Sequence, residues 1–218
     1  MIEKCAKINV MNTEKNTAEE GVLKYIQEHS HAADVAGANV PGWTELNDAR
    51  NRLFALGLVG VTPAGIGYGN LSVRTEAGQF IISGTGTGAR PVLGAGDYCL
   101  VSSFDIEKNR VVSAGPVQAS SEAMTHGAVY RAGANINCVI HVHSRAIFDG
   151  MKRDSYAATP QSAAYGTPEI ALAIAGCIRG SASGEIVLLG HDEGVITYGE
   201  TVEKALGLII ELNAKYCL

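Results

Sequence analysis

The segment Cys138-Val139-Ile140-His141-Val142-His143 constrains this chain more than any other. Its β-branched residues pack well on a pleated surface, so the run reads as a buried strand. Alternate residues of a strand share a face, which places His141 and His143 side by side. Two imidazoles held in this way bind a metal, share protons or simply pack, and the rest of the chain has to decide among these.

The bulk properties exclude several classes. A chain of 218 residues, 46% hydrophobic and 18% charged, suits one compact soluble domain, and no Pro/Ser-rich or charge-rich linker divides it. A net charge of −5 argues against nucleic acid as a partner, because phosphate backbones require clustered Lys and Arg. Cys5, Cys99, Cys138, Cys177 and Cys217 are scattered and odd in number, as expected of reduced thiols and not of a disulfide framework. The first twenty residues lack the apolar core of a signal peptide, and no apolar run approaches the ~20 residues that cross a bilayer. The expected location is the cytoplasm, with no membrane partner.

Periodicity divides the chain into elements. Residues 17–34 have helical spacing at Val22, Leu23 and Ile26, with Asn16 or Thr17 as cap, which puts His29 and His31 at a solvated helix end. Residues 41–60 predict a second helix capped by Thr44, with an apolar stripe of Leu46, Ala49, Leu53 and Leu56. From "GYGNLSVRTEAGQFIISGTG" onward the texture alternates, and a turn at Gly78 predicts a hairpin. "DYCLVSSFD" and "RVVSAG" predict further strands, "SSEAMTHGAVYRAG" and "TPEIALAIAGCI" helices, "GEIVLLGHDEGVITYG" a strand pair around a polar loop, and "TVEKALGLIIELNAKY" a closing helix. The expected fold is α/β with a mostly antiparallel central sheet flanked by helices, over residues 41–218, behind an N-terminal extension over 1–40 that contains a helix.

Several stretches carry chemistry. Catalytic zinc sites commonly use three protein ligands and one open position. His141 and His143 supply two ligands, and His191 in "LLGHDEG" also follows an apolar strand run. Ser120 and Ser121 precede a helix, where hydroxyls and unpaired N–H groups attract an anion, although plain N-capping explains them equally well. Glu122 falls in the first helical turn, and His126, four residues on, shares its face. "GYGNLS" and "SGTGTG" are Gly-rich turns without the Lys-Ser/Thr ending of a P-loop, so nucleotide binding is not expected.

Taken in order, "GNLSVR", "ISGTG", "SSEAMTHGAVY", "CVIHVHS", "YGTPEIA" and "GVITYG" resemble the class II aldolase/adducin family over about residues 44–212. The resemblance implies a three-layer α/β/α fold, usually assembled as a homotetramer with sites between subunits. It implies a divalent metal, commonly zinc, on His141, His143 and a third histidine, here His191. It assigns phosphate binding to Asn70, Thr85, Gly86, Ser120 and Ser121, and acid/base work to Glu122. The implied activity is cleavage or formation of a small ketose phosphate through an enediolate. Related dehydratases would keep the same metal and Glu122 but remove water, and adducin-like scaffolds keep the fold without the ligands. One departure concerns the metal: the family usually has His directly before Gly, whereas here the order is His191-Asp192-Glu193-Gly194, so Glu193 is an alternative third ligand. Another concerns the catalytic tyrosine, for which Tyr156 and Tyr216 are the candidates.

Overall fold

The computed structural model describes residues 24–33, 40–75 and 78–217. Among the described residues five α-helices and eleven strands follow one another as β1 (Ile26–His31), α1 (Trp43–Ala55), β2 (Gly60–Val61), β3 (Gly67–Tyr68), β4 (Asn70–Arg74), β5 (Phe80–Ser83), β6 (Tyr98–Asp105), β7 (Arg110–Gly115), α2 (Ala123–Ala132), β8 (Cys138–His143), α3 (Arg145–Arg153), β9 (Ala157–Thr159), α4 (Pro168–Ile178), β10 (Gly184–Leu188), β11 (Gly194–Gly199) and α5 (Val202–Cys217). Nine strands form one sheet in the order β1-β7-β6-β5-β4-β8-β11-β10-β9, and β2 with β3 makes a separate ribbon.

The interior of the sheet is antiparallel throughout, and short links join β4 to β5, β6 to β7 and β10 to β11. Parallel pairings occur at the two edges, β1 on β7 and β9 on β10, so the sheet is mixed. β8 lies between β4 and β11, and all six of its residues are buried. Its alternation feeds two cores. Cys138, Ile140 and Val142 pack with Leu46 and Leu53 of α1, Ile147 of α3 and Ile209 of α5. Val139 faces the other way, toward Met124 and Val129 of α2 and Ile170 and Ile174 of α4. Each fully buried branched side chain contributes about 1.5–3 kcal/mol, which makes this central strand the hardest part of the sheet to displace. No described helix is long and apolar enough to cross a membrane.

Four local expectations are corrected. Residues 26–31 form a strand and not the end of a helix; every residue pairs with β7, whose outer edge would otherwise lack partners. The remainder of that expected helix, apart from residues 24, 25, 32 and 33, lies outside the described residues. His29 is accordingly not solvated at a helix end: its Nδ1 lies 2.9 Å from Ser113 Oγ and its Nε2 3.1 Å from the Gly115 carbonyl. Helix α1 begins after Gly42, which adopts φ 78°, so Thr44 falls inside the helix. Leu46, Ala49 and Leu53 are buried as the stripe predicts, whereas Leu56 ends the helix and is 44% exposed. In α2 it is Glu122 that occupies the N-cap, one or two residues after the serines expected there.

Candidate active site

His141 and His143 end β8, and the pleat that turns Ile140 and Val142 toward α1 and α5 turns both imidazoles to the opposite face. His191 arrives from the turn between β10 and β11. Its N–H donates to the Leu188 carbonyl at 2.9 Å, and its carbonyl accepts from Gly194 at 2.9 Å. The turn demands glycine at 190, where a Cβ would lie 1.9 Å from the Ala163 carbonyl oxygen. Glu193 takes a left-handed φ of 62° to complete it.

These elements bring the three Nε2 atoms into a triangle with sides of 3.0, 3.2 and 3.2 Å. Zinc–nitrogen bonds of about 2.0–2.1 Å at tetrahedral angles set neighbouring nitrogens about 3.3–3.4 Å apart, so the triangle needs only a small expansion to hold such an ion. The protonation pattern suits the same purpose. His141 Nδ1 lies 3.1 Å from the Val195 carbonyl. A carbonyl can only accept, so Nδ1 carries the proton and Nε2 turns a lone pair to the centre. Burial first, and the charges of His143 and His126 next, hold the His141 pKa well below its ordinary value. Burial and His191 press His143 down to about 3, and burial, His141 and Lys24 lower His191. All three rings are therefore neutral near pH 7, the form in which imidazole ligates. Glu193, the alternative third ligand, is elsewhere: its carboxylate is 41% exposed and pairs with Arg145 at 3.2 Å.

Beside the triad opens a pocket of about 330 Å³. Asn70, Thr85, Gly86, Ser120, Ser121 and Glu122 line it together with His141 and His191, so of the residues to which the resemblance assigns metal, phosphate or acid/base roles all but one line this pocket. The exception, His143, opens toward a hollow on the other side, next to Tyr68 and Glu193. Register explains part of the convergence, because Asn70 pairs directly with His141 across β4 and β8. Buried Glu122 points Oε1 to within 3.4 Å of His191 Nε2. The Ser120 hydroxyl accepts from the Glu122 N–H at 3.3 Å, which fixes the turn at the start of α2. Tyr156 and Tyr216 do not line this pocket; the Tyr216 hydroxyl donates to Asp154 at 2.8 Å, beside Lys215.

Four supporting residues escaped the sequence reading. Tyr165 lines the pocket and stacks on His191 at 4.7 Å with a 22° interplanar angle; its only signal was its place in "YGTPEIA". The Lys24 ammonium donates to the Tyr165 carbonyl at 3.1 Å, and the Tyr25 hydroxyl donates to the Ser120 carbonyl at 2.7 Å, so the segment leading into β1 braces two pocket walls. Arg50 is buried on α1 and donates to the carbonyls of Thr87 at 2.9 Å and Gly88 at 3.4 Å, and also to that of Arg90. Its guanidinium thus grips the Gly-rich turn from behind and leaves a buried positive charge beneath a pocket wall.

Residues 45–148 match the family model of the Class II Aldolase and Adducin N-terminal domain. Over those residues the chain carries the class II aldolase/adducin signature. Solved structures share the fold. L-fuculose-1-phosphate aldolase from Thermus thermophilus is 24% identical, with a TM-score of 0.56 over 78% of this chain and 88% of that one. YgbL from Klebsiella pneumoniae, whose candidate activities are aldolase, epimerase and decarboxylase, is 19% identical, with a TM-score of 0.59 over 78% and 84%. L-fuculose 1-phosphate aldolase from Glaciozyma antarctica is 21% identical, with a TM-score of 0.56 over 78% and 68%. No curated protein matches the chain.

Proposed function

We propose that this class II aldolase/adducin protein is a divalent-metal-dependent aldolase that cleaves or forms a small ketose phosphate. The observation that carries the reading is the convergence of three neutral, buried Nε2 atoms, two of them on histidines that line a pocket which also holds a buried carboxylate and a helix start. His141, His143 and His191 would hold the ion, and an all-imidazole set that leaves a position open suits zinc. When bound, the metal supplies Lewis-acid stabilisation of the negative charge that develops on substrate oxygen.

The chain's own residues do the rest. Retro-aldol cleavage breaks one C–C bond, leaves its electron pair on the ketose fragment, and requires loss of a proton from the hydroxyl on the departing carbon. Glu122 accepts that proton and delivers one to the ketose fragment, so atoms and charge balance over the cycle. Asn70, Thr85, Gly86, Ser120 and Ser121 bind the phosphate. The Gly-rich turn offers backbone N–H groups at close approach, and the start of α2 adds hydroxyls and its dipole. Binding energy gathered at the phosphate fixes the reacting bond between metal and carboxylate. Tyr165 shields one face of His191. A cytoplasmic homotetramer completes the proposal.

The test is a panel of ketose phosphates with the zinc-loaded protein, assayed for aldehyde release. Ser121→Ala raises KM for phosphorylated substrates at least tenfold and leaves unphosphorylated analogues unchanged. Equal losses for both would show that the pocket does not read phosphate. Water loss from a substrate in place of aldehyde release would identify a dehydratase.

A further inference from the structure

A buried chain of hydrogen bonds runs from the interior to the pocket wall. Tyr130 Oη lies 2.7 Å from Ser72 Oγ, Ser72 Oγ lies 2.6 Å from His126 Nδ1, and His126 Nε2 lies 2.6 Å from Asn70 Oδ1. The ring of His126 is completely buried, and Ser72 is too. With the Asn70 Oδ1 facing the ring, such a chain has one consistent set of proton positions. The amide oxygen of Asn70 cannot donate, so His126 Nε2 must carry the proton. Burial presses the His126 pKa down to about 3, so the ring is neutral and Nδ1 must accept. Ser72 therefore donates to His126, and Tyr130 donates to Ser72. Every proton along the chain points toward Asn70.

The geometry points to His126 as a positioning residue that fixes the Asn70 side chain with its oxygen inward, leaving the amide N–H groups to meet the anionic end of the substrate. This deepens the proposed function and rests on its phosphate pocket. An asparagine amide is nearly symmetric in shape, and a flip would present an oxygen to the phosphate instead of two donors. The chain opposes that flip before substrate arrives, because a flipped amide would set its NH2 against the His126 N–H unless the ring changed tautomer and both hydroxyls reversed with it. The device is built across the fold: Asn70 and Ser72 are alternate residues on one face of β4, while His126 and Tyr130 are one helical turn apart on α2.

The first test needs no ligand. Nitrogen-15 NMR of the metal-loaded full chain should show His126 as the Nε2–H tautomer, and an Nδ1–H tautomer would overturn the assignment. The second test titrates inorganic phosphate by calorimetry, with metal content measured alongside. His126→Leu should keep the parent's metal content and weaken phosphate at least tenfold. His126→Gln, whose amide offers a donor and an acceptor at a similar spacing, should recover most of that loss. Equal phosphate affinity in parent and His126→Leu would overturn the positioning role. No phosphate binding by the metal-loaded parent itself would overturn the phosphate pocket, and this inference with it. That failure is told apart because it appears before any substitution is made.

Discussion

Glu122→Gln is expected to lower turnover about a thousandfold while metal content and phosphate affinity stay near those of the parent. The substitution is close to isosteric, so the 4% exposed side chain can keep its place at the head of α2. What it loses is the ability to take and return a proton, a contribution that typically amounts to a factor of about 10²–10⁴. Nothing nearby can substitute for it: among the described residues lining the pocket, Glu122 alone carries a carboxylate. The histidines on the same wall are committed by geometry to one another and to the Val195 carbonyl. Steady-state kinetics beside calorimetric phosphate binding would check this. Full activity in the variant would remove Glu122 from the mechanism.

The metal-free protein should lose most of its stability in mild acid. His126 and His143 both sit at about 3 in the folded chain, chiefly through burial, against an ordinary histidine value of about 6.5. As pH falls below 6.5 the unfolded chain takes up protons at these rings and the folded chain does not. The unfolded state is then favoured, so the stabilisation is complete above about pH 6.5 and is lost progressively toward pH 3. Each of the two rings contributes a loss of about 2 kcal/mol between pH 6.5 and 5. His141 and His191 are lowered in the same direction and steepen the decline. Since domains of this kind are stable by only about 5–15 kcal/mol, the sum is a large fraction of the whole. Urea midpoints of the apo protein at pH 7 and pH 5 measure it. A flat stability over that interval would show that these rings are solvated and not buried together.

The parts of this account that were legible in the sequence are those set by short-range pattern. The alternation of β8 showed that His141 and His143 share a face, and turn chemistry placed the β4–β5 hairpin at Gly78. The motif order around Asn70, Ser120 and Glu122 indicated one pocket, and β4 and α2 meet there. Long-range events left no such trace. Residues 26–31 continue a helical period, yet an open edge on β7 draws them into the sheet, a case of tertiary context overriding local pattern. Arg50 resembles an ordinary charged helix residue until the chain returns some forty positions later to lay the Thr87–Arg90 carbonyls over it. His126 could be placed on the face of Glu122, but its partners Asn70 and Ser72 lie on a strand far earlier in the sequence. The third metal position was undecided between His191 and Glu193. The left-handed turn at Glu193 sends that carboxylate out to Arg145, and His191 inward.

Elemental analysis of purified protein decides whether the three imidazoles make one metal site. The parent should hold about one zinc or comparable divalent ion per chain after reconstitution, and His191→Ala less than a tenth of that at unchanged helical content. Retention of a full equivalent in His191→Ala, or none in the parent, would contradict that shared site.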